Sequence, residues 1–330
     1  YIYILYSLIM YLSEKDDVEG VIAKVTEPTD WVHPCVVEPK KDKSGSFDGS
    51  VRLCVDFRKL NQSCKREYYS TPSIVECIQK IQADEAKIFS SFDAWKGYHQ
   101  IPLEENSKNL TTFITPFGRF RYERAPYGIN SISDHYNRRM TKCLEGLQNL
   151  EKIVDDCVIY SKCPEVHVQH VRKFLERCRK HGIRLHKEKA DVAKEEVQFA
   201  GVMLNSNGYK IQPKIVKAIS DFPEPKTLTD LRSFCGMVNQ MSPFSSDVAR
   251  VIEPLRPLLK KQDKFEFGEL HKDAFNSAKK ILCSDHVIAY YRPGAPMQLR
   301  TDASKLNGIG FWLQQLQPDG CYKTIMTGSR

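Results

Sequence analysis

Two adjacent aspartates, Asp155 and Asp156, interrupt a run of apolar, β-prone residues, with Ile153-Val154 before them and Cys157-Val158-Ile159-Tyr160 after. Strands disfavour Asp, and burying an unpaired carboxylate is costly, so few folds accept such a pair. Either the acids sit in a solvated hairpin turn, where Asp is favoured, or they are held at a sheet edge for their charge. A second feature bears on the choice: Ile88-Phe89-Ser90-Ser91-Phe92 reads as a buried strand that runs into Asp93. If the two strands are neighbours, Asp93 and Asp155 converge at one edge. Three hard oxygen donors there suit Mg²⁺. Two such ions about 3.5–4 Å apart would activate one oxygen and stabilise the leaving one in phosphoryl transfer.

The surrounding pattern is mixed α and β. Cys35–Val37 and Val51–Val55 read as a hairpin whose long basic tip is the Gly/Ser/Asp cluster 41–50. Apolar spacing predicts a helix within 72–87, another over 132–148 with Tyr136, Met140, Cys143 and Leu147 inward, and a third over 165–181 through Val168, Val171, Leu175 and Cys178. His167 and His170 on that third helix read as surface residues, because no Cys or acid completes a metal-ligand spacing. Phe113–Tyr122 reads as a hairpin turned at Pro116-Phe117-Gly118, and Phe199–Leu204 with the Asn207-Gly208 turn as another. From Pro213 to Gln262 prolines break short helical runs; 206–264 carries ten Lys/Arg against six Asp/Glu.

Composition narrows the class. At 41% apolar and 27% charged, a 330-residue chain is neither disordered nor a polytopic membrane protein. A net charge of +8 suits a polyanionic partner without requiring one. The 11 cysteines are scattered with no C-x-x-C pair, which argues against zinc and disulfide frameworks and for a reducing compartment, cytosol or nucleus. Residues 1–15, opening YIYILYSLIMYL, form an atypical apolar segment, too short for a bilayer span of about 20 residues and lacking the marks of a signal peptide.

Several ordered blocks then carry a resemblance. Glu27-Pro28-Thr29-Asp30-Trp31-Val32-His33-Pro34 is followed by Arg52-Leu53-Cys54-Val55-Asp56-Phe57-Arg58-Lys59-Leu60-Asn61. Phe92-Asp93 leads to Tyr98-His99-Gln100-Ile101-Pro102-Leu103, then come Ala125-Pro126-Tyr127-Gly128-Ile129, Ile153-Val154-Asp155-Asp156 and Phe199-Ala200-Gly201. In this order the sequence resembles the reverse transcriptases of gypsy-class LTR retrotransposons from about Glu19 onward. The resemblance implies an α+β right-hand polymerase of fingers, palm and thumb, then a connection and an incomplete RNase H-like α/β domain. The expected divisions are fingers and palm over 16–205, thumb and start of connection over 206–264, and the RNase H-like part over 265–330.

It also implies roles. Asp93, Asp155 and Asp156 would be catalytic and would hold two Mg²⁺ ions, with Mn²⁺ able to substitute and Asp156 less direct. Arg52 would meet the triphosphate, assisted by one of Lys40, Lys41 and Lys43. Tyr98 would exclude a ribose 2′-OH, and Tyr127 would line the same pocket. Lys189, with Lys187 as its rival, would protonate the pyrophosphate leaving group. Phe199, Ala200 and Gly201 would form the primer grip, and thumb lysines would follow the nucleic-acid backbone. Thr301-Asp302-Ala303-Ser304 is similar to the first RNase H strand, with Asp302 its first metal-binding acid; no RNase H activity is expected from this stretch by itself.

Departures from the family pattern are Ile153 in place of an aromatic and Ser131–Asn137 in place of N-A-P-A-T-F-Q. The expected function is RNA-directed DNA synthesis by two-metal phosphoryl transfer. Its partners would be an RNA or DNA template with primer and deoxynucleoside triphosphates, with no membrane and with homo-oligomerisation left open. The rival readings are a catalytically dead remnant that only binds nucleic acid, and an unrelated α/β interaction protein whose acids are solvated turns.

Overall fold

The computed structural model describes residues 20–41, 47–81, 83, 85–241, 244–260, 265–284, 287–304 and 308–329. The expected atypical segment 1–15 and Lys43 lie outside the described residues, as do the side chains of Lys40, Lys41 and Arg52. The chain begins with β1 (Ile22–Val25), β2 (Cys35–Lys41), β3 (Phe47–Val55), α1 (Arg58–Ser63), α2 (Ile74–Gln79), β4 (Ile88–Asp93) and α3 (Glu105–Lys108). Next come β5 (Phe113–Thr115), β6 (Gly118–Tyr122), α4 (Asn130–Leu144), β7 (Leu150–Ile153), β8 (Asp156–Ser161) and α5 (Pro164–His181). It continues through β9 (Asp191–Lys194), β10 (Glu196–Phe199), β11 (Val202–Asn205), β12 (Gly208–Ile211), α6 (Pro213–Ser220), α7 (Leu228–Gln240), α8 (Ser246–Val251) and α9 (Glu269–Leu282). A final antiparallel sheet holds β13 (Met297–Ser304), β14 (Gly308–Leu316) and β15 (Tyr322–Ser329).

Two compact units divide these elements. One takes residues up to 71 together with 94–146 and 174–186. In it the β2–β3 hairpin and the β1-β6-β5 sheet accompany a core of Phe57, Leu60, Phe113, Tyr122 and Ile129. His33 is buried there, its Nε2 2.9 Å from the Leu110 carbonyl and its ring edge-on to Phe57. The other unit takes 72–93, 147–173 and everything from 187 onward. It is built on the antiparallel sheet β7-β8-β4-β9 and the β10-β11-β12 meander. One continuous core joins Phe89, Val158 and Tyr160 of the first sheet to Phe199 and Leu204 of the meander and to Phe234 and Phe275 of α7 and α9. Burying side chains of this size, at roughly 1.5–3 kcal/mol each, is what holds α7 and α9 to the rest of that unit.

Several expectations need correction. The β2–β3 strands extend into the Gly/Ser cluster, with Phe47 to Ser50 in β3. α2 is six residues long, started by a Ser73/Glu76 capping box, and does not fill 72–87. α4 starts at Asn130 and stops at Leu144, ahead of Gly146 at φ +79°, so Leu144 is buried in place of Cys143 and Leu147.

The largest correction concerns α5. Val168 and Leu175 are 56% and 44% exposed, while His167, Phe174 and Cys178 form the buried stripe. His167 is therefore buried and His170 half-buried, where the sequence pattern predicts surface residues. Ala193 N–H donates to Ser90 Oγ (3.0 Å), and Ser90 Oγ lies 2.7 Å from His167 Nε2. His167 Nδ1 lies 3.1 Å from Ser161 Oγ, which is 2.9 Å from His170 Nδ1. With His167 neutral and its proton on Nδ1, donation runs one way from the β9 backbone through β4, α5 and β8, matching both ring nitrogens of His167 and both serine hydroxyls. Burial, and then the neighbouring His170, lowers the His167 pKa accordingly. Among the described residues no helix is long and apolar enough to cross a membrane.

Candidate active site

The acidic site is assembled by strand register. β4 pairs antiparallel with β8, placing Phe89 opposite Tyr160, Ser91 opposite Val158 and Asp93 opposite Asp156. β7 and β8 form a hairpin closed by the pair Ile153 and Asp156, so Val154-Asp155 is its two-residue turn. Val154 has φ +50°, a conformation that a β-branched residue adopts at a cost of about 1–3 kcal/mol. The direct strand partner of Asp93 is thus Asp156, while Asp155 projects from the turn beside it.

Two further elements complete the surroundings. The turn between β10 and β11 is Ala200-Gly201, with both residues at positive φ (+44° and +96°). That backbone presents the Ala200 N–H to the Asp156 carboxylate, which accepts it. On the other side of β4, the register Ser91–Asp191 with β9, continued outward, brings Lys189 alongside Asp93. Lys189 Nζ donates to both Oδ1 and Oδ2 of Asp93, at 3.2 Å each.

A charge row Asp156–Asp93–Lys189 therefore crosses three neighbouring strand positions. The Asp156 pKa is raised, first by burial and then by the negative charge of Asp93; Asp155 adds to the rise, while the Ala200 N–H and Lys189 oppose it. The neighbouring charge that raises the proton affinity of Asp156 also favours a cation there, and carboxylate oxygens are the hard donors that Mg²⁺ takes. Among the described residues, however, no three His, Cys, Asp or Glu side chains already stand as a closed metal cluster. In its chemistry the donor set, three carboxylates, is one that a divalent ion would take.

In the other unit the Tyr98 and Tyr127 rings meet tilted at 36°, with centroids 4.9 Å apart, and Tyr136 is edge-on to Tyr98 at 5.2 Å. The Tyr98 hydroxyl donates to Ser133 Oγ (3.2 Å), fixing the half-buried ring, and Tyr127 is 51% exposed. The loop that carries Tyr127 is clamped by a residue whose role the sequence reading missed: Asn61 donates from Nδ2 to the Gly128 carbonyl (2.8 Å) and accepts at Oδ1 from the Asn130 N–H (3.0 Å). The end of the Arg52–Asn61 block thus holds the Ala125–Ile129 block. Arg52 pairs with Glu38 in backbone register. Phe199 is fully buried and precedes the Ala200-Gly201 turn; Asp302 is exposed on β13 opposite Gly310.

Residues 39–204 match the family described as reverse transcriptase (RNA-dependent DNA polymerase), and 267–330 match an RNase H-like domain found in reverse transcriptase. The chain is 32% identical over 313 residues to the retrovirus-related Pol polyprotein from transposon gypsy of Drosophila melanogaster, covering 90% of this chain and 30% of that protein. It is 28% identical to the corresponding polyprotein from transposon opus of the same species, with the same coverage, and 27% identical to the transposon Tf2-3 polyprotein of Schizosaccharomyces pombe, covering 88% and 21%. The chain thus spans about a third or less of the length of these relatives. Among solved structures, a foamy viral protease-reverse transcriptase in complex with double-stranded DNA superposes with a TM-score of 0.84 at 18% identity, over 98% of this chain and 55% of that one. Another, in complex with an RNA/DNA hybrid, gives 0.79 at 17% identity, over 95% and 41%.

Proposed function

The chain belongs to the reverse transcriptase family, and on that premise we propose that it is an RNA-directed DNA polymerase whose chemistry centres on Asp93, Asp155 and Asp156. The observation that carries this reading is the register that sets Asp93 opposite Asp156 with Asp155 in the adjoining turn. These acids would hold two Mg²⁺ ions, or Mn²⁺ in their place, which would lower the pKa of a primer 3′-hydroxyl and neutralise triphosphate charge. The protein supplies the rest. The Ala200 N–H orients Asp156, and the strained Val154 turn aims Asp155. Arg52 would grip the triphosphate through its guanidinium fork. Lys189 would deliver a proton to the departing pyrophosphate. The Tyr98 ring, braced by Tyr136 and Ser133, would leave no room for a 2′-hydroxyl, with Tyr127 beside it. Phe199, Ala200 and Gly201 would steady the primer end.

The foamy viral neighbours were solved with double-stranded DNA and with an RNA/DNA hybrid, and the same class of template and primer is proposed here. The test is primer extension on an RNA template with Mg²⁺ and deoxynucleotides. The reading expects extension by the intact chain and its loss, by about a thousandfold or more, in Asp155→Asn. Absence of extension by the intact chain, with salt-sensitive primer–template binding retained, would establish instead a remnant that only binds nucleic acid.

A further inference from the structure

We infer that Lys189 is a built-in placeholder for the metal: in the ion-free protein its ammonium occupies the Asp93 carboxylate, and it must swing away before an ion can bind there. The inference rests on the reading of Asp93 as a metal ligand and adds a step that this reading does not contain.

The geometry is specific. β4 is flanked by β8 on one side and β9 on the other, so Asp93 has Asp156 as one neighbour and Lys189 as the other. The lysine lies at the end of a short turn, Lys187–Lys189, immediately before β9, and the antiparallel pairing of β9 with β4 carries it to Asp93. Its Nζ is equidistant, at 3.2 Å, from both carboxylate oxygens and so donates to the two alike. A divalent ion held by either of these oxygens would come within a few ångströms of the ammonium, where two cations repel strongly. The two cations therefore compete for one carboxylate.

The exchange is also easy. The Lys189 side chain is 58% exposed and that of Asp93 25% exposed, so the pair is an exposed one of the weak kind. Four rotatable bonds let the ammonium leave without moving the backbone. Asp93 and Asp156, with Asp155 in the adjoining turn, would otherwise repel one another; the lysine relieves that repulsion and then yields. Once displaced, the same ammonium is free to meet an anion, which is what its proposed role at the pyrophosphate requires.

Two measurements on the full chain, without nucleotide or nucleic acid, test this. The first needs no variant: acylation of lysine amines, read by mass spectrometry, with and without Mg²⁺. Lys189 should react several-fold faster once Mg²⁺ is added, with Lys187 in the same turn unchanged, and the Mg²⁺ effect should vanish in Asp93→Asn. The second is Mn²⁺ affinity from the electron paramagnetic resonance signal of the free ion. Lys189→Met should bind about three- to fivefold more tightly than the wild type, the equivalent of releasing an exposed ion pair, and Lys187→Met, with the same change in net charge, should gain less.

If Lys189 reactivity ignores Mg²⁺ while Mn²⁺ binding still depends on Asp93, the placeholder is refuted and the polymerase reading survives. The same follows if the two lysine variants tighten Mn²⁺ binding equally, since net charge is then the cause. If no ion binding responds to Asp93→Asn, both fall.

Discussion

Replacing Glu151 by Gln should make the protein more stable at pH 8 and leave it little changed near pH 4.5. Glu151 lies on β7 opposite Val158, under α2, whose Cys77 thiol contacts the Lys152 carbonyl. Burial pushes the Glu151 carboxyl up from 4.5 to about 7, against a smaller opposing effect from Lys80, and burial first, then Glu151, pushes the Cys77 thiol up to about 11. An acid whose folded pKa is raised binds its proton more tightly in the folded state. The wild type therefore loses stability as pH rises from 4.5, and the loss levels off above about 7. At about 1.4 kcal/mol per pKa unit the difference is roughly 3 kcal/mol for a fully dry site. Glu151 is only partly buried, and solvent reduces that to about 1–2 kcal/mol. Gln keeps the shape and removes the charge. Urea unfolding of the two proteins between pH 4.5 and 8.5 should give curves that coincide at the acid end and separate by that amount above pH 7. Parallel curves, or a Gln variant weaker at pH 8, would refute the burial argument.

Further substitutions probe particular features. Gly208→Ala should cost about 3 kcal/mol or more in urea unfolding, because the position has φ +139° and a Cβ there would stand 2.0 Å from the Ile288 carbonyl oxygen, wrecking the two-way hydrogen bonding between Tyr209 and Ile288. At the acidic turn the usual order of Ala and Gly should invert: Val154→Gly should be more stable than Val154→Ala by about 1 kcal/mol, since only Gly escapes the left-handed penalty; the ordinary order would mean that the turn is not left-handed at 154. His167→Phe should cost about 2–3 kcal/mol by taking the acceptor from the Ser90 hydroxyl and the donor from Ser161, which keeps His170, and combining it with Ser161→Ala should cost less than the sum of the two. The lowered His167 pKa also means that its contribution is complete above about pH 6.5 and is lost as pH falls below that value, which a pH series of thermal melts would follow.

The sequence by itself determined the acid-bearing turn, the strand ending at Asp93 and the succession of hairpins, because each depends on short-range physics. Period-two apolar runs make strands, and Asp between them makes a turn, whatever lies elsewhere in the chain. The same local logic failed on α5. It counts Val168 and Leu175 as core and His167 as surface, whereas hydroxyls from Ser90 and Ser161, on two other strands, match every polar atom of the imidazole and so make its burial cheap. Tertiary structure alone decided which acids and bases meet. Pairing offset by one residue would have put Asp155 opposite Asp93 and turned each side chain to the other face; the actual register chose Asp156 and, through β9, set Lys189 on the far side of the same carboxylate. Side-chain identity states which charges are available, but only the alignment of strands distant in the chain brings them within ångströms of one another, where Coulomb energy becomes large.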